Sequence, residues 1–214
     1  MKTIDFYLDF ISPYAYLAFE KLPAALHGCD VAVNYKPVLF AAMLKHHGQL
    51  GPAEIATKRD WTYRQVQWLA HSNGLRLDLP AAHPFNALAL LRLALATVSE
   101  GNPGREACAA IFEHAWQGGQ DAADPQRIAE LTRRLNPVRD PAGGEVKVAL
   151  SCNTDDAIRQ GIFGVPSLVV DDKVFWGFDS LPMVRAWLQG DPWFEAGAWE
   201  AATKIAVGAA RRRQ

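Results

Sequence analysis

The stretch FISPYAYLAF, residues 10–19, sets a lone serine before a proline where a strand hands over to a helix. Ser12 can serve there as a helix N-cap, with Pro13 as the first helical residue, because proline's missing N–H costs nothing in a first turn. It can also offer its hydroxyl to a reactive group held at the helix N-terminus. The chain itself brings no thiol to that position. Its three cysteines, Cys29, Cys108 and Cys152, are far apart, odd in number and form no Cys-x-x-Cys. That usage predicts no disulfide framework and no structural zinc site, and it points to a reducing, cytoplasmic compartment. His46 and His47 are adjacent, so on a helix they face different ways and do not make a metal pair. No metal is expected.

A second stretch, GIFGVPSLVV, carries Val165-Pro166 just ahead of an apolar run. The elements around these two prolines decide how they are read. KTIDFYLDF alternates Ile4, Phe6 and Leu8 and predicts a strand over about 3–9. A helix from Ser12-Pro13 to about His27 follows, with Pro23 as a possible kink or early end. DVAVNYKPV predicts a second strand, ended by Pro37. From 38 to 160 every periodic segment reads as helical. Helices are predicted over 53–72, 84–100 with Pro84 in its first turn, 104–118, from Asp124-Pro125 to about 135, and 145–160. SLVVDDKVFW then reads as a hairpin around Asp171-Asp172. A helix from Ser180 follows, and the chain closes with a short helix and the basic run Arg211–Arg213.

The predicted fold class is therefore α/β: a thioredoxin-like domain, β-α-β … β-β-α, with an inserted all-helical subdomain. The expected division is 1–37 with 161–190 for the thioredoxin-like part, 38–160 for the insertion, and 191–214 for a C-terminal helix and tail. This element order predicts a cis bond at Val165-Pro166, which turns the Val165 main chain toward the start of the first helix. A trans proline entering an edge strand is the alternative. A cis turn leaves a main-chain edge beside Ser12 that an extended peptide can join by strand addition.

Composition narrows the partners. Lys and Arg total 22 against 23 Asp and Glu, so no nucleic-acid or membrane-surface binder is expected. No apolar run reaches 18 residues, and Asp5 and Asp9 interrupt the apolar start, which predicts neither a membrane span nor a signal peptide.

DFISPYAYLA, FAAMLK, HPFNAL, GVPS and FWGFDSL stand in the order seen in 2-hydroxychromene-2-carboxylate isomerases, and the chain resembles that family along nearly its whole length. The family is related to kappa-class glutathione transferases and to DsbA, which has Cys-x-x-Cys where this chain has Ser12-Pro13-Tyr14-Ala15. The resemblance implies a dimeric enzyme with glutathione as cofactor and a small aromatic carboxylate as substrate. It implies interconversion of 2-hydroxychromene-2-carboxylate and trans-o-hydroxybenzylidenepyruvate, a step of naphthalene degradation, by reversible addition of the glutathione thiolate. A kappa-like glutathione transferase and a non-enzymatic thioredoxin-like binding module are the competing readings.

The resemblance also implies roles. Ser12 donates a hydrogen bond to the thiolate, helped by the helix N-terminus. Val165 and Pro166 receive the peptide backbone of glutathione. Asp179 and Ser180 meet its γ-glutamyl end, with Asp179 on the α-ammonium group. Lys45 and Asn86 reach a carboxylate of glutathione or substrate. Trp176 contributes to both ligands. Phe178 stands where the family more often has a polar residue, which points to a different substrate contact. Tyr14, Trp61, Trp68 and Trp176 are candidates for an aromatic pocket, although at least half of the Trp61/Trp68 stripe is expected to be core.

Overall fold

A computed structural model describes residues 1–206 and 208. The basic run 211–213 lies outside the described residues.

Four strands form one sheet in the order β2-β1-β3-β4: β1 (Lys2–Leu8), β2 (Val31–Pro37), β3 (Ser167–Val170) and β4 (Lys173–Trp176). β1 runs parallel to β2, with Phe6 opposite Tyr35, and antiparallel to β3, with Phe6 opposite Leu168. Pro37 is tolerated because β2 is an edge strand and Pro37 is its last residue. Asp171 and Asp172, with φ of 49° and 65°, make the two-residue turn of the β3–β4 hairpin. Two positive φ values are what a type I′ turn requires.

Alternation along β1 serves two cores. Ile4, Phe6 and Leu8 face the main one, with Leu17, Phe19 and Leu22 of α1 (Pro13–Ala25). Tyr7 faces a smaller one, with Val38, Met43, Ala157, Ile162 and Val165. Ala157 belongs to α7 (Gly144–Arg159), which also packs beside β2. The sheet thus has a helix on each face, and β1 is closed to water on both faces from Phe6 to Leu8.

α1 passes through Pro23 rather than ending there. Pro23 has no N–H to give to the Phe19 carbonyl four residues back. Arg105 supplies the missing donor: Nη1 and Nη2 each lie 3.1 Å from the Phe19 oxygen. Arg105 begins α5 (Arg105–Trp116), so the helical insertion repairs a helix of the thioredoxin-like part.

Between β2 and α7 run α2 (Phe40–His47), a 3₁₀ turn at Pro52–Glu54, α3 (Ala56–Ser72), α4 (Leu88–Ala96), α5 and α6 (Pro125–Leu135). The helix expected from Pro84 starts four residues later. His83-Pro84 is cis, and the Asn86 side-chain oxygen accepts from Leu88 N at 3.0 Å in an Asx turn that leads into a helix starting at Leu88. After β4 a 3₁₀ turn, Phe178–Ser180, leads into α8 (Leu181–Leu188). In place of one C-terminal helix the described residues have two single helical turns, α9 (Pro192–Glu195) and α10 (Ala198–Ala201), and a 3₁₀ turn at Ala202–Lys204. No helix among the described residues is long and apolar enough to cross a membrane.

Candidate functional site

The site is built around the turn Asp9–Ser12, which joins β1 to α1. Ser12 is the N-cap of α1, with extended backbone (φ −90°, ψ 116°), and its Oγ accepts from Ala15 N at 3.2 Å. The same hydroxyl donates to the Val165 carbonyl at 3.3 Å, across 153 residues of sequence. Capping and presentation therefore coexist: the oxygen's lone pair faces the helix and its proton faces the loop. Ser12 is 8% exposed, so the hydroxyl lies at the floor of the site.

Val165-Pro166 is cis, which brings the Val165 carbonyl to Ser12. The Val165 N–H has no hydrogen-bond partner among the described residues, and neither has the Tyr14 N–H in the first turn of α1. One donor belongs to the loop whose carbonyl Ser12 meets, the other to the helical turn that Ser12 caps. Donors at a helix N-terminus favour an anion.

The loop before Pro166 is shaped by Trp176. A Cβ on Gly164 would lie 2.6 Å from Trp176 Nε1, so only glycine lets the indole lie there. Trp176 is 54% exposed and meets Phe163 with ring centroids 4.9 Å apart. This exposed aromatic pair borders the cis loop; Phe163 escaped the sequence reading because it sits outside any periodic run.

At the next turn, Gly177 has φ +97° and donates to the Pro166 carbonyl at 2.9 Å. A Cβ there would lie 2.5 Å from Asp179 Oδ1, so the glycine leaves room for the Asp179 carboxylate. Asp179 is exposed. It lies close enough to Tyr14 to act on its phenol, which burial pushes up from the ordinary range, against a hydrogen bond with Thr62 and with a smaller push from that carboxylate. The protonated Tyr14 hydroxyl donates to Gln65 Oε1 at 2.7 Å. Phe178 is half-buried against the main core.

Some expected residues sit differently. Ser180 does not cap α8; its hydroxyl donates to the Gly177 carbonyl at 2.8 Å and the residue is buried. Asn86 is not in the first turn of a buried helix but on an exposed bend before α4. Its Oδ1 is taken by Leu88 N, which leaves the amide N–H₂ as its outward donor. Trp61 and Trp68 are 62% and 64% exposed, so neither is core. The buried face of α3 is Thr62, Val66 and Ala70, and the one ring that Trp68 meets among the described residues is His71. Lys45 is exposed in the last turn of α2 and makes no ion pair among the described residues.

Side chains that the sequence reading passed over hold the turn itself. Asp9 is 2% exposed and accepts from Ile11 N at 3.1 Å and Phe40 N at 3.0 Å. Burial pushes its carboxyl up to about 6, against those amide bonds. Trp116 Nε1 donates to the Phe10 carbonyl at 2.8 Å, and His83 Nε2 lies 2.8 Å from the Ile11 carbonyl. Among the described residues no group of three His, Cys, Asp or Glu side chains is placed to hold a metal.

Residues 3–189 match the model of the DSBA-like thioredoxin domain. The chain belongs to the DsbA-like thioredoxin family. Within it, the 2-hydroxychromene-2-carboxylate isomerase of Sphingobium xenophagum is 30% identical over 202 residues, covering 87% of this chain and 98% of that one. Glutathione S-transferase kappa 2 of Caenorhabditis elegans is 28% identical over 207 residues, covering 87% of this chain and 92% of its own. Among solved structures, a 2-hydroxychromene-2-carboxylate isomerase superposes with a TM-score of 0.76 at 21% identity, covering 92% of this chain and 98% of that one. That likeness shows the same thioredoxin-like fold with its helices over nearly the whole chain.

Proposed function

We propose that this protein is a glutathione-dependent isomerase of the 2-hydroxychromene-2-carboxylate type. The observation that carries the reading is the Ser12 hydroxyl, 3.3 Å from the Val165 carbonyl at the mouth of α1, with the Val165 and Tyr14 N–H groups unpaired among the described residues. These groups fit a tripeptide thiol: a main-chain edge for its backbone, a hydroxyl and a helix N-terminus for its sulfur. The absence of Cys-x-x-Cys argues against disulfide exchange through a protein thiolate.

Bound glutathione supplies the nucleophilic thiolate that this fold position otherwise takes from cysteine. The chain's own residues do the rest. Ser12 turns its proton from Val165 O toward the sulfur and stabilises the anion, while the Tyr14 N–H and the α1 terminus add to that field. Val165 pairs through its N–H and C=O, and Pro166 fixes the direction of that edge. Asp179 takes the α-ammonium group, with Ser180 supporting the Gly177 bend behind it. Lys45 and the Asn86 amide offer donors to an anionic carboxylate. Tyr14 keeps its proton and orients through Gln65. Trp176, with Phe163 and Phe178, forms the aromatic border for a flat substrate. The protein works as a homodimer in the cytoplasm on this reading.

Kappa-like transfer is the second reading, favoured by the similarity to the transferase of C. elegans. One assay separates them. With 2-hydroxychromene-2-carboxylate and glutathione, an isomerase leaves total glutathione unchanged after many turnovers, whereas a transferase consumes one per product. A rate independent of glutathione contradicts both.

A further inference from the structure

The turn that presents Ser12 is gripped from outside the sheet. Its main-chain groups are met in order: Asp9 Oδ1 takes the Ile11 N–H, Trp116 Nε1 reaches the Phe10 carbonyl, and His83 Nε2 reaches the Ile11 carbonyl. Ile11 is the residue before Ser12, so its peptide plane sets where the Ser12 Cα stands. The Ile11–Ser12 peptide is held at both ends, by His83 at the Ile11 carbonyl and by the Asp9 main-chain carbonyl, which accepts from Ser12 N at 3.1 Å, while the Asp9 carboxylate holds the preceding peptide through the Ile11 N–H.

A carbonyl only accepts, so the proton of the neutral imidazole sits on Nε2. Nδ1 is then an acceptor, and the Tyr63 hydroxyl shares its one proton between His83 Nδ1 at 2.9 Å and the His83 carbonyl at 3.0 Å. Burial among Tyr63, Phe85 and Trp116 holds the imidazole below its ordinary pKa and keeps it neutral. The cis bond at His83-Pro84 belongs to the same bend. An imidazole whose two nitrogens are both engaged, and whose ring is packed on three aromatic side chains, has one orientation.

We propose that His83, oriented by Tyr63, is a positioning residue that fixes the Ile11–Ser12 peptide and so aims the Ser12 hydroxyl at the ligand sulfur. His83 touches neither ligand on this view. It acts through the main chain, and the helical insertion thereby sets the geometry of a group at the end of β1. The catalytic consequence rests on the function proposed above; the grip on the turn does not.

The test compares His83→Phe, which keeps a ring and loses the donor, with His83→Gln, whose amide nitrogen can stand near Nε2. Three quantities are read: kcat and KM for the isomerisation, the pH midpoint of the bound glutathione thiolate by ultraviolet absorbance, and amide hydrogen exchange at Ile11 and Ser12 without ligand. In His83→Phe we expect kcat to fall about tenfold with KM within about twofold, the thiolate midpoint to rise by about one pH unit, and the two amides to exchange about tenfold faster. His83→Gln recovers most of each. A folded His83→Phe with wild-type midpoint and exchange overturns the proposal. So does a folded His83→Gln as impaired as His83→Phe, since that makes ring shape rather than the donor decisive. If His83→Phe does not fold, His83→Asn, too short to reach Ile11, takes its place with the same expectations. If the wild type forms no glutathione thiolate, the proposed function fails, and exchange at Ile11 and Ser12 alone decides the positioning role.

Discussion

Asp9 should make this fold less stable as the pH rises through mild acid, the reverse of the usual behaviour of a hydrogen-bonded carboxylate. Its carboxyl is pushed from 3.8 up to about 6 by burial. The folded state therefore holds a proton between these two values that the unfolded chain has released. Stability then falls with pH across that window, because the folded form binds more protons. The contribution is fully present below about pH 4 and gone above about pH 6. A difference of about 2 pH units at 1.36 kcal/mol each corresponds to about 3 kcal/mol. Asp9→Asn removes this titration while keeping the shape. The measurement is urea unfolding of both proteins from pH 4 to pH 7.5, reported as wild type minus variant so that other titrations cancel. Wild type is expected to lose about 3 kcal/mol relative to Asp9→Asn over that range. A difference that stays flat, or grows with pH, refutes the reasoning: it means that the main-chain amides stabilise the carboxylate by as much as burial opposes it, or by more.

Further expectations concern the site. Ser12→Ala loses the bound-thiolate absorbance and most of the turnover, while the loss of its cap costs only about 0.5–2 kcal/mol in denaturant titration; retained turnover contradicts its role. Gly177→Ala meets both a left-handed φ and the Asp179 carboxylate, so glutathione affinity by calorimetry should weaken about tenfold or more. Lys45→Met should raise KM several-fold, roughly 5-fold, with little change in kcat, as expected for a binding contact. Trp68→Ser, on an exposed face of α3, should change unfolding free energy by no more than about 0.5 kcal/mol, in contrast to a core tryptophan.

The parts of the fold that follow a period were legible. Ile4, Phe6 and Leu8 announce β1, Ser12-Pro13 announces the start of α1, and Asp171-Asp172 between two apolar runs announces the hairpin. The Ser12–Val165 meeting was legible because two local signals, Ser-Pro and Val-Pro, fall at corresponding places of a β-α-β … β-β-α order. What failed depends on side chains acting on distant backbone. Pro84 looks like a first-turn proline, but the Asx turn of Asn86 onto Leu88 leads into the helix instead. Trp61 and Trp68 have helical spacing, yet the buried stripe of α3 is the smaller set Thr62, Val66 and Ala70, which hydropathy underrates. His83 and Trp116 grip the Asp9–Ser12 turn from 72 and 106 residues away, and a side chain donating to a main-chain carbonyl leaves no periodic trace.

The placement of the cysteines has a consequence for chemical durability. Cys29 lies beyond the far end of α1, Cys108 is buried in α5, and Cys152 is exposed on α7. No sulfur is bonded to the chain at the N-terminus of α1. An oxidant that reaches the mouth of this helix meets a hydroxyl and main-chain amides, none of which climbs the sulfenic-to-sulfonic ladder that inactivates thiol enzymes. On the proposed function, sulfur damaged there leaves with its ligand, and an intact molecule replaces it. Such an enzyme outlasts its own oxidation events without a repair reductase.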